Sequence, residues 1–528
     1  MDVLLGIKKG QYDLDAVYEK RDIMPYVWCF LSAAVIMTIC SRSSFLYVFN
    51  LWDDANSYFT VGKCIFRGFV PYRDLFDQKG IMLYFIYGLA SLISPTTFFG
   101  VYLMEIIAAY FSLRAIFRIS QLFLGSRQMP YVVTSLSGAV IYSSGNFYWG
   151  GSAEEFLFPF IMWGLYLSAK YFRKEYPHPC GYGTVLLGGV LAGCVLNIKF
   201  NSLGFYFAFM MMIFFADIIG DVQIEKAFKS CLVFLGGMGL ATLPWVIYFA
   251  VNRSLYSWVY VYIYKNVFEY SKKITIGERA YLFYDILKNH FLNNKVVFVF
   301  ILIGIVYFTA SCVTYLIRGE KTAVTIKLGL FELINLGMLL LFLVLVIFIG
   351  GVSLPYYSFP INAFVVFGFI PFCYIIEKLI NKTVRFVLCP VALVAGACLI
   401  WFLSMNVKTM GVTADGLWLY KFRDHIKASG VQDPGLIVEF TFDVGLYTVL
   451  DIEPICYYFQ TQTLNMDEVL EYQKRYLHSG EADFIVTCDT PAEGERDLYD
   501  KVMTERCVFY DFDHTYYLYQ RNDNPVTE

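Results

Sequence analysis

The stretch Leu51-Trp52-Asp53-Asp54-Ala55-Asn56-Ser57-Tyr58, continued by Gly68-Phe69-Val70-Pro71-Tyr72-Arg73-Asp74-Leu75-Phe76-Asp77-Gln78-Lys79-Gly80, stands between apolar runs at 26–41 and 97–119. A charged loop wedged between two bilayer-length segments marks the first exit of a polytopic chain from the membrane. Outward from it the alternation repeats, with apolar runs at 130–145, 156–172, 183–198, 201–219, 229–251, 296–317, 328–350, 358–377 and 386–405. Together these predict an α-helical polytopic membrane protein with about eleven transmembrane helices, each near the ~20 residues a span needs. Composition agrees: of 528 residues 58% are hydrophobic and 16% charged, where a soluble chain carries about 25% charged residues. The formal net charge of -3 excludes little, because in a membrane protein the position of charges matters more than their sum.

Position is informative here. The tail 1–25 contains Lys8, Lys9, Lys20 and Arg21 among acids and tyrosines, too long and mixed for a signal-peptide n-region. It is expected to be a cytosolic tail before an uncleaved first span. The connections near 120–129, 173–182, 220–228, 318–327 and 378–385 then fall on the same side. Each is basic: Arg118 and Arg127; Arg173 and Lys174; Lys226 and Lys229; Arg318, Lys321 and Lys327; Lys378, Lys382 and Arg385. That is the positive-inside pattern, so a multi-pass protein of the plasma membrane with a cytosolic N-terminus is expected. The run Ile81–Ser94, at about 14 residues, falls short of a span. Counting it as one would turn all five basic loops outward, so a helix lying at the outer surface is expected there.

The expected organisation is therefore a tail (1–25), a transmembrane module (26–405) with long outer loops at 42–96 and 252–295, and an extracytoplasmic domain (406–528). Strand-like runs at Leu436–Phe440, Phe484–Thr487 and Tyr516–Tyr519, with a charged helical pattern over Met466–His478, predict a small α/β domain. In the second long loop the aromatic residues Tyr256, Trp258, Tyr260, Tyr262, Tyr264, Phe268 and Tyr270 stand with charged ones such as Lys265, a composition suited to lipid headgroups. Arg253, Lys265, Lys272, Lys273 and Arg279 in the same loop are candidates for phosphate or for anionic headgroups.

Asp53 and Asp54 are the first candidates for chemistry. A carboxylate at the edge of a low-dielectric slab holds its proton more tightly and suits a general base; solvated loop acids after a helix end are the plainer reading. No Walker-type loop or His-Glu-x-x-His appears, and the five histidines at 178, 290, 425, 478 and 514 are scattered, so no histidine-built metal site is expected. Cys29, Cys40, Cys194 and Cys312 fall in apolar runs as small core residues. Cys456, Cys488 and Cys507 show no metal-ligand spacing and leave a disulfide open.

The loop resembles the first extracytoplasmic loop of the GT-C superfamily of membrane glycosyltransferases. It is particularly similar to the branch containing protein O-mannosyltransferases and the bacterial lipid A aminoarabinose transferase. In that branch a paired acid, commonly Asp-Glu, follows the first span, and a Gly…Pro-Tyr…Lys-Gly/Pro segment leads into a surface helix. Here the pair is Asp53-Asp54, and Lys79-Gly80 stands where Lys-Pro is frequent. The order of parts is similar too, although members of the branch usually carry more spans.

The resemblance implies transfer of a sugar from a polyprenyl-phosphate donor to an acceptor hydroxyl on a glycan, lipid or protein at the outer face, in one inverting displacement. It gives Asp53 the role of base and Asp54 that of orienting it. Glu154 and Glu155, in Asn146-Phe-Tyr-Trp-Gly-Gly-Ser-Ala-Glu154-Glu155, stand where the family often has a second acid; a polar turn closing two helices explains them as well. Lys79 and Lys199 are the cations suited to the donor phosphate, with snorkelling to headgroups the alternative for Lys199. Tyr356 and Tyr357 stand where related enzymes carry aromatic residues near the donor, and where an interfacial aromatic belt would also fall. Some members use a divalent cation (Mg or Mn) and others none, so the acidic pair leaves a cation open. The bilayer and the lipid-linked sugar are the expected partners, with no nucleic acid. An O-antigen-type polymerase or ligase, whose long loop comes late in the chain, and a transporter or flippase, which tends to show repeated halves, are the competing readings.

Overall fold

Eleven apolar runs become helices because a backbone in hydrocarbon has to satisfy its own hydrogen bonds. The computed structural model describes residues 22–220, 222–270, 275–319, 325–438, 443–461, 466–491, 498–509 and 512–522. The expected tail residues Lys8, Lys9, Lys20 and Arg21, the loop lysines Lys272, Lys273 and Lys321, and the end of the expected strand at Phe440 lie outside the described residues. Every expected span is helical, and seven helices are long and apolar enough to cross a membrane by themselves: Phe99–Phe123, Phe200–Ile219, Ile224–Val251, Lys295–Arg318, Leu330–Phe348, Pro355–Leu379 and Lys382–Leu403. Met24–Cys40, Met129–Tyr142 and Tyr182–Leu196 are apolar but shorter, and Ala153–Lys170 carries Glu154, Glu155 and Lys170 at its ends. The ends have local causes. Pro25 and Pro130 open two of the helices, where a missing N–H costs nothing. Asn381 caps Lys382–Leu403 through Val384 N (3.0 Å), and Gly319, at φ 69°, ends Lys295–Arg318.

The chain divides into two compact units, each built from three separated segments. The first comprises residues up to 41, 105–244 and 273–407 and holds most of the apolar helices. Leu232, Leu235, Leu240 and Ile247 on Ile224–Val251, like Ile305 and Val306 on Lys295–Arg318, are exposed, which suits surfaces that face lipid. At the start of Pro355–Leu379 the backbone runs as a 3₁₀ helix through Pro355–Val365, around Pro360. A buried polar network holds that stretch. Asn146 Nδ2 donates to Ser358 Oγ (3.0 Å) and to Asn362 Oδ1 (2.9 Å), and the His290 ring bonds both Ser353 (2.7 Å) and Ser358 (2.9 Å).

The second unit gathers residues 42–104, 245–272 and 408–528. Helix Asp53–Ile65 packs on the 13-residue helix Ile81–Ile93, which is shorter than a span. They cross at Gly62 and Gly88, where a Cβ on Gly62 would stand 2.5 Å from Tyr84 O and 2.6 Å from Gly88 N. The second long loop is mostly helical, with a π-helix over Val259–Glu269. On it Tyr256, Tyr260, Tyr264 and Phe268 form a ladder of rings with centroids 5.0–5.5 Å apart, so these aromatic residues become one helical stripe.

A four-stranded sheet in the order β1-β2-β4-β3 completes this unit: β1 (Leu436–Val438), β2 (Phe484–Cys488), β3 (Tyr499–Phe509) and β4 (Phe512–Arg521). β1 and β2 are parallel and the other pairs antiparallel. Helix Met466–Ser479 matches the charged helical pattern, and Ile437, Leu477, Ala482, Ile485, Tyr499 and Tyr519 form the core. β3 is the strand the sequence did not reveal: it is an edge strand carrying Asp500, Lys501, Glu505 and Arg506, charges typical of protected edges. None of the thirteen cysteines forms a disulfide, so the pairing left open at Cys456, Cys488 and Cys507 is not made. Lys63, 2% exposed, joins the first loop to the C-terminal domain by donating to Tyr447 O (2.7 Å) and meeting Asp451 at 3.2 Å.

Candidate active site

In the second unit, Trp52 is extended and the helix begins at Asp53, so both acids fall in its first turn. There the unsatisfied N–H groups favour negative charge. Asp53 Oδ1 accepts from Asp54 N (2.8 Å), and Ser57 Oγ donates to the Asp53 carbonyl (3.0 Å). Asp54 Oδ1 lies 3.7 Å from Lys79 Nζ. The Lys79 backbone is fixed on both sides: the Tyr72 hydroxyl donates to Lys79 O (2.6 Å) and Lys79 N donates to Tyr84 Oη (2.8 Å). Its ammonium stands 5.3 Å from the centre of the Tyr58 ring. Asp77 is buried, accepting Gln78 N at 2.7 Å, and the Tyr84 hydroxyl also bonds its carboxyl. From the C-terminal domain Asp443 accepts the Tyr516 hydroxyl (2.7 Å) and adds its charge to the field at Asp53.

Burial is the main cause that lifts the Asp53 carboxyl to about 7, helped by the charges of Asp54 and Asp443 and opposed by the Asp54 N–H and Lys79. Burial likewise lifts Asp77 to about 6, with Lys79 opposing and Asp54 reinforcing. A carboxylate that titrates near neutrality is matched to taking a proton from a hydroxyl. Among the described residues, three or more ligating side chains with donor atoms within 4.8 Å of one another occur only at Cys488, Asp489 and His514. Asp53, Asp54 and Asp443 are not drawn together to that degree.

The first unit assembles the other candidates. Ser152 caps helix Ala153–Lys170 by accepting Glu155 N (2.9 Å), which places Glu154 and Glu155 in the first turn. Glu154 Oε1 meets Lys199 Nζ at 2.5 Å, with the two side chains 1% and 13% exposed. The same ammonium stands 3.6 Å from the centre of the Tyr357 ring and 5.6 Å from that of Tyr356. Glu154, Lys199, Tyr356 and Tyr357 are thus one cluster. Glu155 turns away to a second: its Oε2 accepts Gly151 N (2.7 Å) and it lies beside Glu105, whose Oε2 accepts Ser41 Oγ (2.6 Å). Gly150 has a left-handed φ of 87°, and a Cβ there would stand 2.6 Å from Glu105 Oε1.

Glu105, Asp77 and Asp443 were missed as site residues. A lone acid inside an apolar run is a signal, and Glu105 carried it. Asp77 stood in the decisive loop without being singled out. Asp443 gave no signal, because nothing in the sequence brings it to Asp53.

The comparisons bear on this geometry. ArnT from Cupriavidus metallidurans, solved bound to undecaprenyl phosphate, superposes with a TM-score of 0.59 over 94% of this chain and 97% of its own, at 9% identity. The chain has the fold of ArnT. ArnT in the apo state matches over the same shares with a TM-score of 0.58 at 10% identity. An oligosaccharyltransferase from Archaeoglobus fulgidus, in complex with Zn and sulfate, matches at a TM-score of 0.46 and 12% identity over 87% of this chain and 67% of that one. No protein-family model and no curated protein matches the sequence. This likeness in fold extends over 94% of the chain and agrees with the fold that the resemblance of the first loop implied.

Proposed function

We propose that this protein is a membrane glycosyltransferase that moves a sugar from a polyprenyl-phosphate donor to an acceptor hydroxyl on a glycan, lipid or protein. The observation that carries the reading is Asp53, lifted to about 7 in the first turn of its helix, beside Asp54 and Lys79 on a chain with the fold of ArnT. The acceptor oxygen attacks the anomeric carbon while the bond from that carbon to the phosphate oxygen breaks. Asp53 takes the acceptor proton, polyprenyl phosphate leaves with the bonding pair, and the configuration inverts. Asp54 holds Lys79 and orients Asp53. Lys79 supplies charge to the departing phosphate, where a preorganised cation is worth more than in water.

Within the first unit, Lys199, with Tyr356 and Tyr357, is the candidate cation for the donor phosphate, its charge balanced by Glu154, and Glu154 and Glu155 are that unit's candidate acids for the acceptor. The basic connections support an N-terminus in the cytosol and a C-terminal domain outside the plasma membrane.

The test is single-turnover transfer from a labelled undecaprenyl-phosphate sugar in nanodiscs, with donor affinity followed separately. Asp53→Asn should lower transfer by about 10²–10⁴-fold with donor affinity unchanged, and Asp54→Asn should cost less. Near wild-type transfer by Asp53→Asn, with Glu154→Gln or Glu155→Gln inactive, would move the base to the first unit.

A further inference from the structure

A second constellation lies in the C-terminal sheet, where the sequence promised nothing because its members are 25 residues apart. β2 ends at Cys488, which pairs with Tyr516 of β4, so the two side chains share one face of the sheet. His514, two residues before Tyr516 on β4, points to that same face. Regular alternation would send Asp489 to the opposite face. Instead Asp489 takes a left-handed φ of 60°, which aspartate adopts more readily than most residues. Its backbone N–H still donates to Thr515 O (2.7 Å), while its Oδ1 accepts Thr515 N (2.9 Å) and its Oδ2 meets His514 Nδ1 at 2.6 Å. The break in alternation thus brings a thiol, a carboxylate and an imidazole together, with donor atoms all within 4.8 Å of one another.

We propose that Cys488, Asp489 and His514 form a zinc-class metal site, distinct from the acidic pair at Asp53. The chemistry selects the metal. A mixed sulfur, nitrogen and oxygen set suits a borderline-soft tetrahedral cation, which Mg²⁺ and Ca²⁺ are not. Three protein ligands leave the fourth position to water. On binding, the Cys488 thiol gives its proton to solvent and the thiolate sulfur becomes a ligand; His514 binds as the neutral ring through Nδ1, replacing its contact to Asp489, and Asp489 binds through Oδ2. Asp489 Oδ1 stays on Thr515 N, which orients the carboxylate as outer partners orient metal ligands. The site clips the end of β2 to β4 two residues from Tyr516, the hydroxyl that holds Asp443.

The experiment is titration of the chelator-stripped, full-length protein in detergent with Co²⁺ alone, followed by competition with Zn²⁺. The expected result is one tight equivalent with visible bands of tetrahedral cobalt and a near-ultraviolet thiolate-to-cobalt band, all displaced by zinc. Cys488→Ser should abolish the thiolate band, and Cys488→Ser and His514→Ala should each weaken affinity by more than about 100-fold, beyond the cost of losing an outer partner. Asp53→Asn should bind as wild type. Cobalt bound with octahedral bands only, a thiolate band that survives in Cys488→Ser, or binding lost in Asp53→Asn would each overturn the assignment. Because the wild-type spectrum itself reports the thiolate, the test stands even if a variant misfolds.

Discussion

Asp53 carries the sharpest consequence of the geometry. A carboxyl lifted to about 7 is mostly protonated one unit below that value, so transfer should fall about tenfold per pH unit on the acid side. Initial rates between pH 5.5 and 8.5 should rise and then level off near pH 7, and a flat profile would remove Asp53 as the base. Asp54→Asn deletes a charge that helps to lift Asp53, so the inflection should move to lower pH. Asp77 makes a stability statement instead. Its carboxyl is held at about 6, above the unfolded value near 3.9, so the folded state binds the extra proton. The stabilisation is fully present below the unfolded value and is lost as pH rises through about 6. Asp77→Asn keeps an oxygen for Gln78 N and carries no charge. It should flatten the dependence of thermal midpoint on pH between 5 and 7 and raise the midpoint at pH 8; an unchanged profile would show that Asp77 is not the source. Glu154 and Lys199 form a buried pair, and removing one partner strands the other charge at a cost of about 3–5 kcal/mol. The double variant Glu154→Gln/Lys199→Met should therefore be more stable than either single one. Additive losses would show that the two charges are independent.

Among the elements, the pair Asp53–Ile65 and Ile81–Ile93 positions the site, since one helix starts at the acids and the other follows Lys79. Their approach at Gly62 meets backbone atoms, which cannot move aside as a flexible side chain can. Gly62→Ala should cost about 1–3 kcal/mol, the usual price of overpacking, visible as a lower unfolding midpoint and as reduced transfer through a displaced Asp53. Gly183→Ala is the matched control: it is helical and a Cβ there meets nothing within 4 Å, so it should be neutral or slightly stabilising. Element legibility followed burial. Apolar runs announced their helices because lipid and core both demand a continuous apolar surface. The short helix at Ile81–Ile93 was legible as an apolar run. β3 was not, because an exposed edge strand bearing four charges has little of the alternation that marks a half-buried one.

At the scale of the whole molecule, the orientation is the next thing to test. Cysteines placed at Lys174 and Gln432, both exposed positions, should differ in labelling by a membrane-impermeant thiol reagent on intact cells. Gln432→Cys should react above the background of the native cysteines and Lys174→Cys should not. The reverse pattern would put the C-terminal domain and Asp53 in the cytosol, away from the proposed reaction.

The sequence by itself determined the helices, the pattern of five basic connections, and the loop that carries the paired acids and Lys79. Those properties are local: hydropathy, charge and a short motif are all written within about 30 residues. Tertiary structure alone decided that segments 42–104, 245–272 and 408–528 make one compact unit, that Asp443 lends its charge to Asp53, and that Lys199 is neutralised by Glu154. It alone converged Cys488, Asp489 and His514. Each of these depends on residues tens to hundreds of positions apart meeting in a low-dielectric setting. A charge there is felt strongly by neighbours in space, and sequence order does not say which neighbours those are.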